Sequence, residues 1–166
     1  MAPAPESVEE LTALFRRLGA REPEGWATSQ VTEGIPQLAR FLFLRQAWRS
    51  ILPDGETSWV DATIAESERV PDAPFAGIGF ALARLRAAGA ADTDLTEVAR
   101  GMQAALLAAL CYQLQDPGEL EPEVADIGWA LVQVDSAGTV VGEIGGLHES
   151  VLETDPTGRE MRPPDA

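Results

Sequence analysis

Three groups of side chains in this 166-residue chain could do chemistry, and each has a plain structural use beside the functional one. The first group is a pair of arginines beside a tryptophan. From Leu38 onward, Phe41, Leu42, Leu44, Trp48, Ile51 and Leu52 occupy a broad apolar sector at 100° per residue, with Arg45 in its middle and Arg49 at its edge. A guanidinium in such a sector needs a carboxylate or an anionic ligand, because an unpaired buried charge is costly. The plain use is an internal ion pair with one of the chain's 27 carboxylates. The functional use is a small anion gripped by the arginine fork beside Trp48.

The second group centres on His148, the only imidazole, which follows Gly145-Gly146-Leu147 and precedes Glu149. A neighbouring carboxylate could tune it as a general base, although a solitary histidine in a turn is more often structural. Arg45, Trp48, Arg49 and His148 together form the candidate ligand-binding set. No residue qualifies as catalytic.

The third group is acidic. Residues 101–158 contain no Lys and no Arg but ten carboxylates, out of a net charge of −15 for the chain. Such a segment repels phosphate backbones and anionic membranes and attracts cations or basic proteins. Glu119, Glu121, Glu123 and Asp126 are its densest part. Their spacing does not fit a calcium loop and Pro122 limits their convergence, so a solvated contact surface for a basic protein ranks above a metal site.

Missing residues close other classes. All 12 basic residues are Arg, which excludes a P-loop lysine, a kinase-type phosphate lysine and a Schiff-base lysine. Asn is absent too, and both gaps fit a GC-rich bacterial genome. His148-Glu149 is followed by Leu152 where a two-histidine zinc motif needs its second His, and there is no G-x-S-x-G elbow. Gly77-Ile78-Gly79 lacks the third glycine of a dinucleotide fingerprint and reads better as helix packing through small residues. Cys111, the only cysteine, sits in the apolar run Ala104 to Tyr112, where a buried thiol is expected. Four tryptophans, at 26, 48, 59 and 129, are spread out as core anchors rather than as a stacking platform for single strands.

No apolar stretch is long enough to span a bilayer, and Met-Ala-Pro-Ala-Pro-Glu at the N-terminus has neither the positive nor the apolar region of a secretory signal. A cytoplasmic location is expected. So is the absence of a cofactor, a metal ion, a nucleic-acid partner and a membrane partner. The oligomeric state is not specified by the pattern.

The elements that must hold these groups are mainly helical. Ser7-Val8-Glu9-Glu10 is a capping box opening a helix over 7–18, and Pro36 opens a second over about 34–52. A short helix is expected between Thr57 and Glu68, a fourth from Phe75 to Gly89, and a long fifth from Asp94 to Gln115. Because Ala104 to Tyr112 is apolar on every side, the fifth should be central and surrounded. Residues 19–33 read as a polar connection. Trp129 to Val134 and Thr139 to Ile144 flank Asp135-Ser136-Ala137-Gly138 as a β-hairpin with Gly in the left-handed position, and Ser150 to Thr154 is a candidate third strand.

The expected fold class is therefore α+β, predominantly α: about five helices around a long helix, then a small antiparallel hairpin. A single domain over 1–155 with a flexible tail over 156–166 is the expected organisation. The expected function is that of a small acidic interaction module, of immunity, antitoxin or adaptor type, facing a basic macromolecular partner. The alternative is a helical enzyme or an anionic-ligand-binding regulator that uses an Arg, Trp and carboxylate pocket. Binding is favoured over catalysis.

Overall fold

Ser7 accepts a hydrogen bond from the Glu10 amide and the Glu10 carboxylate accepts one from the Ser7 amide, so the capping box opens helix α1 (Val8–Leu18) as its sequence dictates. The computed structural model describes residues 7–163, and the N-terminal segment read above for a signal lies outside them. The fold is α+β and predominantly α. Helix α1 is followed by α2 (Pro23–Glu33), α3 (Gln37–Trp48), α4 (Ser58–Arg69), α5 (Ala76–Ala87) and α6 (Asp92–Gln113). A single 3-10 turn (Pro122–Val124), strands β1 (Val132–Val134) and β2 (Val140–Glu143) and the short helix α7 (Leu147–Ser150) complete the order. Among the described residues no helix is long and apolar enough to cross a membrane.

Contacts divide the chain into two compact units, one of residues 1–48 and 106–166, the other of 49–105, with one boundary falling inside α6. In the first unit, Leu11 and Phe15 of α1, Trp26 and Ala27 of α2 and Phe41 of α3 form one buried cluster. Leu44, Cys111, Ile144, Leu147 and Val151 form another, with Leu131 against it, so both strand-flanking residues of the hairpin reach the core. Burial pushes the Cys111 thiol up to about 11, which keeps it neutral and inert. Trp48 is also buried, its indole N–H donating to the Val151 carbonyl at 2.8 Å.

In the second unit, α4 and α5 cross at Gly79, where a Cβ would lie 2.2 Å from Ser67 Oγ and 2.5 Å from the Thr63 carbonyl oxygen. The small-residue reading of Gly77-Ile78-Gly79 is thereby explained, and only Gly79 of the two glycines is at the contact. Arg86 joins Asp61 and Asp92 at 2.7 Å each, and the two carboxylates raise its pKa further. Arg100 of α6, also buried, donates to the Leu52 carbonyl at 2.7 Å.

Four expectations are corrected. Helix α2 occupies the stretch read as a polar connection: Pro23 stands in its first turn, and its buried side is only Pro23, Trp26 and Ala27, too little for a periodic signal. Helix α3 is shorter than 34–52, since Ile51 and Leu52 lie beyond its end at Trp48. The run Ala104 to Tyr112 is not surrounded, because Leu106, Leu110 and Tyr112 are exposed together with Ala105 and Ala109, and only Ala104 and Cys111 of the run are buried. The candidate third strand is instead the end of α7 and following turns, with Thr154 bonded back to Ser150, leaving a two-stranded sheet. Of the C-terminal tail, residues 164–166 lie outside the described ones. Before them, buried Asp155 accepts from the Thr157 hydroxyl and the Met161 amide, and Arg21 donates to the carbonyls of Glu153 and Gly158.

Candidate functional site

Two surfaces of the first unit bring the nominated residue types together. One is the acidic connection with the hairpin behind it. Glu119, Glu121, Glu123 and Asp126 are all exposed, and none makes an ion pair among the described residues. The chain then enters the hairpin, where Val132 faces Glu143, Gln133 faces Gly142 and Val134 faces Val140, with an irregularity after Gln133. Such a bulge adds local twist to the ribbon.

The turn is built by Asp135. Its carboxylate accepts from the Ala137 and Thr139 amides at 2.8 and 2.9 Å, and Gly138 takes φ 82°, the left-handed value the turn requires. Those amides, that of Thr139 foremost, hold the Asp135 carboxyl below its ordinary value of 3.8. A lowered pKa contributes stability above the unfolded value and loses it as pH falls through the folded one. The turn is therefore expected to loosen only below about pH 4, with the Ala137 and Thr139 amide resonances moving together. An amide titration by NMR checks this, and Asp135→Ala should show the loosened turn at neutral pH.

The hairpin is anchored at its base and open elsewhere. Leu131 and Ile144 pack on the core, whereas Ile127, Trp129, Val132, Val134, Val140 and Val141 are exposed. Trp129 therefore departs from the anchor role: its ring is out, and its N–H donates to the Gln113 carbonyl at 2.7 Å. Among the described residues each strand has one edge with no strand paired to it, since the sheet there has two strands.

The other surface is an open cavity of about 380 Å³ between the start of α3, the end of α6 and α7. His148 lines it, with Nδ1 2.9 Å from Gln115 Oε1 and its ring edge-on to Tyr112 at 5.3 Å. Glu143 and Glu149 line it as well. Of the other nominated residues, Arg45 is half-buried, Trp48 is sealed in the core with its N–H satisfied, and Arg49 is exposed and belongs to the second unit.

The arginine at this cavity is Arg40. It shares the buried face of α3 with Gln37, Phe41, Leu44 and Trp48 and is 8% exposed. The helix is rotated so that this face, rather than the one centred on Arg45, turns inward. Residues 40, 44 and 48 recur every four positions, and that stripe was available in the sequence. Burial lowers the Arg40 pKa, opposed by the charges of Glu149 and Glu153.

Among the described residues no group of three or more His, Cys, Asp or Glu is placed to hold a metal ion. Compared with protein-family models, curated proteins and solved structures, the chain matches none.

Proposed function

We propose that this chain is an acidic interaction module that binds a basic protein through the hairpin and the acidic connection before it. The observation that carries the reading is an apolar ribbon with open edges set in a segment of ten carboxylates and no cation. Apolar side chains supply contact area, a free strand edge can accept an added strand, and exposed carboxylates select a basic partner and speed its approach. Immunity proteins, antitoxins and adaptors are the kinds of protein that work this way.

The test is capture from cells that express the chain, comparing the native protein with Glu119→Gln/Glu121→Gln/Glu123→Gln and with Val132→Ser/Val140→Ser. The native chain should retain a basic protein at low salt and release it as ionic strength rises, because charges farther apart than about 8 Å are screened at physiological salt. Both variants should capture less while melting almost like the native chain, since the altered side chains are solvated. Equal capture by all three proteins would overturn the reading.

A further inference from the structure

Arg40 is a buried cation at the wall of a cavity. Its side chain is more than nine-tenths buried, its Nε has no hydrogen-bond partner, and no ion pair of Arg40 occurs among the described residues. Arg100, equally buried, is like Arg40 at Nε and differs in spending a terminal nitrogen on the Leu52 carbonyl. A guanidinium kept charged in such a place without a partner is a standing cost.

The guanidinium packs against the backbone of Gly146. Gly146 takes φ 68°, a conformation that favours glycine, and the guanidinium lies against it: a Cβ there would meet Arg40 Nη2 at 2.2 Å and Cζ at 2.4 Å, so a larger residue would push the guanidinium aside. Arg40 lies in the wall of the 380 Å³ cavity, a volume within the range of small-molecule sites. Gln115 and His148, bonded to each other, add oriented polar groups to the same wall.

The charges around the cavity define the ligand further. Glu143 and Glu149 also line it, both exposed, and the charges of Glu149 and Glu153 act on Arg40 without an ion pair among the described residues. A multiply charged anion such as phosphate would meet these two carboxylates. A molecule with one carboxylate and one ammonium group satisfies both ends: its carboxylate takes the Arg40 fork and its ammonium faces Glu143 and Glu149. We infer that the cavity is a binding site for a small zwitterion of amino-acid size, with Arg40 as its carboxylate clamp. The site meets the hairpin surface at Glu143, the last residue of β2, and its other lining residues lie outside the hairpin.

The test is a thermal-shift and calorimetric titration of the full chain with L-alanine, L-glutamate and L-arginine. Acetate, methylammonium and inorganic phosphate serve as partial or mismatched probes. At least one amino acid should bind and raise the melting temperature, and the three controls should do neither at equal concentration. Arg40→Met should weaken that binding by about 30-fold or more, the low end of what losing a buried charge partner costs. Without ligand, the same variant should melt no lower than the native chain, because it removes an unpaired buried charge. Glu143→Gln/Glu149→Gln, changed only at exposed positions, should also weaken binding, and this arm holds whether or not Arg40→Met folds. Absence of binding by all three amino acids, equal binding of acetate or phosphate, or a marked drop in the unliganded melting temperature of Arg40→Met would each overturn the inference.

Discussion

Phe15→Ala is expected to destabilise the first unit by about 3–5 kcal/mol, the largest effect of any single truncation considered. Phe15 is fully buried, and its ring meets Phe41 edge-on at 5.6 Å and Trp26 at 5.9 Å. The substitution removes the transfer free energy of the ring, leaves a cavity between three helices, and breaks two aromatic contacts worth about 0.5–1.5 kcal/mol each. Relaxation is restricted because Trp26 is itself pinned, its indole N–H donating to Glu153 at 3.1 Å. Phe75→Ala is the matched control, since that ring is 83% exposed and its loss should change stability by no more than about 0.5 kcal/mol. Denaturant melts of the two variants check both values.

Gly79→Ala is expected to destabilise the second unit by about 1–3 kcal/mol, while Gly77→Ala, two residues earlier in the same helix, stabilises it by up to about 1 kcal/mol. Intrinsic propensity favours alanine at both positions, so the two outcomes differ in sign only through packing. At Gly77 nothing lies within 4 Å of the added Cβ. At Gly79 that atom would meet Ser67 Oγ at 2.2 Å, Ser67 Cβ at 2.6 Å and the Thr63 carbonyl oxygen at 2.5 Å. A serine hydroxyl can rotate away. A Cβ and a helix carbonyl move only with the backbone of α4, so the two helices must separate. Equal melting curves for the two variants would show that α4 and α5 do not cross at this glycine.

Where a local signal is complete within a few residues, the chain can be read without its structure. The capping box of α1 is two reciprocal hydrogen bonds between Ser7 and Glu10, and the hairpin turn is one aspartate and one left-handed glycine three residues apart. Helix α2 shows the opposite case. It is held by Trp26 meeting Phe15 and Phe41, contacts that no pattern inside 23–33 announces.

The rotation of a helix is harder to read than its existence. Eight of the twelve residues of α3 are apolar, so the sector drawn around Arg45 and the stripe of Arg40, Leu44 and Trp48 are both plausible inward faces. Tertiary packing chose the second. The acidic surface was readable because solvated charge needs no partner, and Glu119, Glu121, Glu123 and Asp126 are exposed as a charge-dense connection should be. The openness of the hairpin was not, since Val132, Val134, Val140 and Val141 have the composition of core strand residues.

The central claim is that residues 119–143 are the contact surface for a basic protein. Amide hydrogen exchange, measured on the chain alone and with its captured partner, tests it most directly. The account predicts that the free hairpin exchanges quickly, having open edges and few buried contacts beyond its base, and that the partner slows exchange across Val132–Val134 and Val140–Glu143. Slowed exchange confined to α4 and α5, with the hairpin amides unchanged, would contradict it.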